Sequence, residues 1–127
     1  MPELNAEGIS LISTTLVDHS GIAPTTLYTV PAGFTFMPDH VKIKAAGNEQ
    51  ATIISLGLST ALTDFCPNNT LSNLDIANDM VIVRPIPNTT PLKSQVYTAG
   101  EIFQVDVTTD VGNALNTYYL YGTLAAV

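Results

Sequence analysis

The chain of 127 residues holds two histidines, His19 and His40, and each directly follows an aspartate: Asp18-His19 and Asp39-His40. Histidine beside a carboxylate is the raw material of a metal centre, or of a general base with its orienting acid. Consecutive residues of a strand project to opposite faces, so such a dipeptide does not bring both side chains to one ion. The expectation is that these are solvated turn residues. No G-x-S-x-G or H-E-x-x-H pattern supplies a nucleophile or a zinc pair. Cys66, the single cysteine, lies in Asp64-Phe65-Cys66-Pro67 with no cationic neighbour to lower its pKa, and is expected to be a buried, inert thiol. Asp106 and Asp110, four apart, are the carboxylates that a loop-bound calcium would use. The eleven acids show no spacing that marks a glycosidase pair. The reading is of a non-enzyme with no catalytic residue, no metal ligand set and no cofactor.

Two other signals concern recognition. Asn68-Asn69-Thr70 and Asn88-Thr89-Thr90 match the N-glycosylation acceptor pattern, read as coincidence in an Asn- and Thr-rich chain. Tyr118, Tyr119 and Tyr121 form the one aromatic cluster. Alternation puts Tyr119 and Tyr121 on one face, where they would serve as an interface anchor or a sugar-stacking platform if exposed, or as ordinary sheet packing if covered.

The elements that must position these residues read as strands almost throughout. Ile9 to Val17 is rich in β-branched residues, and Thr25 to Val30 runs into Pro31-Ala32-Gly33, where proline presets one φ and glycine accepts a positive one. Phe34 to Ala45 bends at Pro38 and then places Val41, Ile43 and Ala45 on one face, with Lys42 and Lys44 on the other. Thr52, Ile54, Leu56 and Leu58 make a further apolar face. From Ser59 to Asp79 the pattern loosens into a long loop or a single helical turn. Met80 to Val83 resumes as strand, and the proline-rich stretch from Arg84 to Pro91 is demoted to edge or loop. Phe103, Val105 and Val107 alternate cleanly, and Tyr118, Leu120 and Leu124 point inward in the last strand. About eight short strands with turn signals every 8–12 residues predict an all-β, antiparallel two-sheet β-sandwich, most plausibly a jelly roll. The chain divides into a polar arm, residues 1–8, and a single sandwich domain, residues 9–127.

Composition narrows the function classes. Four cations against eleven acids give a net charge of −7, and Lys42, Lys44, Arg84 and Lys93 do not form a basic run, so neither nucleic acid nor an anionic membrane surface is an expected partner. No segment approaches the ~20 apolar residues that span a bilayer. Met1-Pro2-Glu3-Leu4-Asn5 has neither a basic nor an apolar signal region, so the expectation is cytoplasmic synthesis without export.

The segment Thr26-Leu27-Tyr28-Thr29-Val30-Pro31-Ala32-Gly33-Phe34-Thr35 resembles one near the start of small β-rich structural proteins of tailed bacteriophages. Three further stretches agree in outline: the alternating strand Val41-Lys42-Ile43-Lys44, then Ala99-Gly100-Glu101-Ile102-Phe103-Gln104-Val105-Asp106-Val107-Thr108, and Leu120-Tyr121-Gly122-Thr123-Leu124. The resemblance spans about Thr26 to Leu124 and implies a virion protein. Capsid decoration or cement proteins, head fibres and tail or baseplate components all share it. On that implication the partners are the major capsid protein or other virion proteins, with self-association as a trimer or dimer. The candidate interface residues are Tyr119, Tyr121, Arg84, Pro85 and Pro87, with the arm 1–8 expected to reach neighbouring subunits. The leading reading is a capsid decoration or cement protein that binds the outer capsid surface and stabilises the shell; the alternative is a tail, baseplate or fibre component, or a glycan-binding adhesin that uses Tyr119 and Tyr121. A cupin-type enzyme is disfavoured because two scattered histidines do not make its metal cluster.

Overall fold

The structure, a computed structural model, describes residues 8–85 and 95–127. Among the described residues, nine antiparallel strands form two packed sheets: β1 (Ser10–Val17), β2 (Pro24–Thr29), β3 (Phe34–Lys44), β4 (Ile53–Leu58), β5 (Ala61–Thr70), β6 (Met80–Val83), β7 (Tyr97–Thr98), β8 (Ile102–Thr109) and β9 (Asn116–Ala126). The first sheet runs β1-β9-β3-β6, with the two-residue β7 on the β6 side of β3; the second runs β2-β8-β4-β5. The chain is an all-β, two-sheet sandwich. Successive strands cross from sheet to sheet, except in the β4–β5 hairpin and between β6 and β7.

Alternation makes the core. Val41 and Ile43 from β3, Phe103 and Val105 from β8, and Tyr118 and Leu120 from β9 are at most 1% exposed and face across the gap between the sheets. Phe103 gathers the aromatics: Phe65 at 5.3 Å, Tyr97 at 5.7 Å and Phe36 at 6.3 Å between ring centroids. Each such side chain contributes about 1.5–3 kcal/mol by leaving water. Pro31-Ala32-Gly33 turns as expected, with Gly33 at φ 83° and the Phe34 N–H donating to the Pro31 carbonyl at 3.3 Å.

The bend expected at Pro38 is a β-bulge: Pro38 pairs with Gly122 and His40 with Tyr121, leaving Asp39 as the extra residue. The burial parity of β3 therefore switches from Phe36 and Pro38 to Val41 and Ile43. A Cβ on Gly122 would meet the Met37 carbonyl at 2.5 Å and the Phe36 ring at 2.6 Å, so only glycine fits opposite the bulge.

The expected loop or helical turn over Ser59–Asp79 is corrected in its first part. Ala61–Thr70 is a ten-residue strand whose two register shifts break any period-two pattern. Pro67 is tolerated there because β5 is the edge of its sheet. Turns do occupy Leu71 to Asp79, with the Leu74 N–H donating to the Leu71 carbonyl at 3.0 Å. Residues 1–7 of the expected arm lie outside the described residues.

Candidate functional site

The pairings of the first sheet lay out its outer face in rows. Thr14, Tyr119, Lys42 and Ile82 stand side by side across β1, β9, β3 and β6; Leu16, Thr117, Lys44 and Met80 form the next row; Leu11, Tyr121 and His40 form a third. Their neighbours Val41, Ile43, Tyr118 and Leu120 point the other way into the core, and this fixes the outward set. Leu11, Leu16, Met80 and Ile82 are each at least 51% exposed. The face thus combines aromatic, aliphatic and cationic side chains; its tyrosines and Met80 are of the types enriched in protein interfaces, and its lysines are not.

The bulge on β3 brings together what strict alternation would separate. With Asp39 displaced, its Oδ2 lies 2.6 Å from Nδ1 of His40, so this Asp-His pair does share a face. This corrects the expectation that the two side chains must diverge. The His40 ring stacks on Tyr121 at 4.6 Å between centroids and 9° between planes, and Lys42 Nζ lies 5.2 Å from the Tyr121 centroid. Tyr119 and Tyr121 are both partly exposed on this face, where the sequence placed them together.

The first Asp-His pair corrects the expectation differently. His19 is not a solvated turn residue: it is fully buried, as are Glu49 and Asn116, with Tyr118 at 1%. Strand ends Val17, Lys44, Met80 and Asn116 meet at one end of the sandwich, so the loops after β1, β3, β5 and β8 cluster there. His19 Nδ1 is 2.8 Å from Glu49 Oε1, and His19 Nε2 is 2.8 Å from the Tyr118 hydroxyl. Burial pushes the His19 pKa below its ordinary range, and so the ring is neutral: Nδ1–H donates to Glu49, and the Tyr118 O–H donates to Nε2. Burial works to raise the Glu49 carboxyl. The Asn113 side-chain and backbone N–H groups, at 2.6 and 2.9 Å, and His19 outweigh it and hold the carboxyl low. Burial and the Glu49 charge push the Tyr118 phenol well up. Acid, imidazole and hydroxyl lie in the order of a catalytic relay, yet none of the three is accessible to a substrate. The set ties loops together.

Sequence reasoning missed Glu49 and Asn113. The Gly112-Asn113 turn signal located the loop but not its partner. The available hint was a lone acid in the otherwise uncharged passage Gly47 to Ala51.

Arg84, exposed, and Pro85, half-buried, follow β6 and line a groove of about 380 Å³ with Leu71, Asn73 and Val81. They lie at the edge beside Ile82, away from the tyrosines. Pro87 lies outside the described residues. Cys66 is 1% exposed and burial raises its thiol pKa, consistent with an inert role. Among the described residues no three His, Cys, Asp or Glu side chains gather as metal ligands; the Asp106 carboxylate accepts from the Gln104 amide at 3.0 Å. Among them, too, no helix is long and apolar enough to cross a membrane.

No protein-family model matches the sequence, and no curated protein matches it either. Among solved structures, a chain from the acidic stable capsid structure of Helicobacter pylori bacteriophage KHP30 superposes with a TM-score of 0.53 at 16% identity. The likeness is one of fold. It covers 94% of this chain and 97% of that one, so it relates whole chain to whole chain, with no large part of either left over.

Proposed function

We propose that the protein is a non-enzymatic structural component of a bacteriophage virion, a decoration or cement protein that sits on the outer capsid surface and stabilises the shell. The observation that carries this is the end-to-end fold likeness to a chain of a phage capsid structure. The LYTVPAG resemblance points the same way independently. We read the strand order as a jelly roll: with the two-residue β7 set aside, the sheets run first-eighth-third-sixth and second-seventh-fourth-fifth, the pattern of two interleaved Greek keys.

Physically, such a protein works by burying surface across subunit joints, and repetition over a symmetric lattice multiplies a modest contact into mechanical stability. A flat sheet face serves this use better than a deep pocket. Self-association as a trimer or dimer belongs to the same reading, as does virion localisation.

Mass spectrometry of gradient-purified particles, followed by separation of heads from tails, tests the assignment. Co-fractionation with heads in stoichiometric amounts supports decoration. Recovery with tails supports the tail or adhesin reading, for which the exposed Tyr119 and Tyr121 would be the platform. His40 already covers one side of Tyr121, which reduces the ring surface open to a sugar.

A further inference from the structure

On the virion reading above, we propose that the outer face of the first sheet is the surface that seats on the partner, and that the partner's matching surface is protein bearing carboxylates around an apolar patch. The chain is acidic overall, yet this face carries more cations than acids: its acid is Asp39, which is held against His40. Two of the chain's four cations stand on the middle strand β3 of this one face, Lys42 in the central row and Lys44 in the row at its end, and Arg84 follows the β6 edge. Lys42 is flanked by Tyr119 and Ile82, Lys44 by Thr117 and Met80, so each ammonium rises from aromatic or apolar surroundings. Among the described residues neither lysine forms an ion pair.

The opposite outer face differs. Across β2, β8 and β4 its rows are Pro24, Asp106 and Ser55, then Thr26, Gln104 and Gly57, small and polar with one acid and no cation, and Ser55 and Gln104 are themselves buried. That contrast selects the docking side. It also selects the occupant. A second copy meeting this face through a two-fold axis would set Lys42 and Lys44 against their own images, a like-charge contact that costs affinity. Nucleic acid needs a longer cationic run, and the net charge of −7 repels it. An acidic protein surface satisfies both the lysines and the exposed Leu11, Leu16, Met80 and Ile82.

Four strands about 4.8 Å apart and three rows about 7 Å apart give a flat area of roughly 400 Å², half of the ~800 Å² that one partner contributes to a standard interface. Binding per copy is therefore weak and salt-sensitive, and reaches useful strength through many copies on a lattice.

The test is equilibrium binding of purified protein to phage particles stripped of it, at about 50 mM and about 500 mM salt. Wild type, K42Q/K44Q, K42R/K44R and T26E/T108E are compared, each first checked for unchanged thermal unfolding. T26E/T108E lies on the opposite sheet and makes the same net-charge change as K42Q/K44Q. The expected result is about tenfold or greater weakening of K42Q/K44Q at low salt with a flatter salt dependence, near-wild-type binding by T26E/T108E, and retention in K42R/K44R. Wild-type binding with K42Q/K44Q unaffected, or with T26E/T108E weakened as much, overturns this face and leaves the virion role standing. Absence of wild-type binding at either salt overturns the virion role itself, and this proposal with it.

Discussion

Nδ1 of His19 lies 2.8 Å from Oε1 of Glu49, thirty residues further along the chain, and both side chains are wholly buried. The pair joins the loop after β1 to the loop after β3, while Asn113 brings in the loop after β8 and the Glu49 N–H reaches the Leu74 carbonyl after β5 at 2.8 Å. One buried residue, Glu49, thereby ties a whole end of the sandwich together through its carboxylate and its backbone N–H.

Stability should fall on acidification in two stages. The His19 pKa is depressed from its ordinary 6.5, so the unfolded chain takes up that proton first; the contribution is complete above pH 6.5 and is lost as pH falls towards the folded value. Glu49, depressed from 4.5, adds a second loss below that pH. Denaturant unfolding from about pH 8 to about pH 3 checks both stages. H19Q should lower the plateau at pH 8 by about 1–3 kcal/mol and flatten the slope below pH 6.5. An unchanged slope in H19Q would place the titration elsewhere.

Gly112→Ala should destabilise severely, by about 3 kcal/mol or more, because the new Cβ would overlap Glu49 Oε1 and lie 2.6 Å from His19 Cβ and 2.7 Å from Thr52 Oγ1. Gly21→Ala, where nothing lies within 4 Å, should change little. Paired thermal melts of the two variants give the comparison.

The Cys66 thiol should react with a thiol reagent only when the protein opens. It is 1% exposed, burial raises its pKa, and the Asn69 amide donates to its Sγ at 3.4 Å. Labelling in native buffer should be slower by orders of magnitude than in denaturant; equal rates would contradict the burial.

Much of the fold was legible because its signal is local. Val41-Lys42-Ile43-Lys44 and Phe103 to Thr108 alternate cleanly, and their buried faces are the ones the alternation names. β5 was not legible, since its register shifts and edge position remove both the periodicity and the bar on Pro67. The site was legible in part. Tyr119 and Tyr121 share a face by simple alternation, whereas the union of Asp39, His40 and Tyr121 depends on one extra residue in β3. The burial of His19 depends on partners 30 and 99 positions away, a relation that no local pattern encodes.

Phe103→Ala should cost about 3–5 kcal/mol, because the ring packs against Phe36, Phe65 and Tyr97 at the centre of the aromatic cluster. Y121A, on the partly exposed outer face, should cost far less, and urea unfolding of both variants separates core from surface.

The most direct test of the virion role is cryo-electron microscopy of particles of the encoding phage, with and without the purified protein added back. The account predicts regular density over the outer capsid lattice, with the sheet carrying Tyr119, Tyr121 and Lys42 turned toward the shell. Density confined to the tail, or no added density at all, would contradict it.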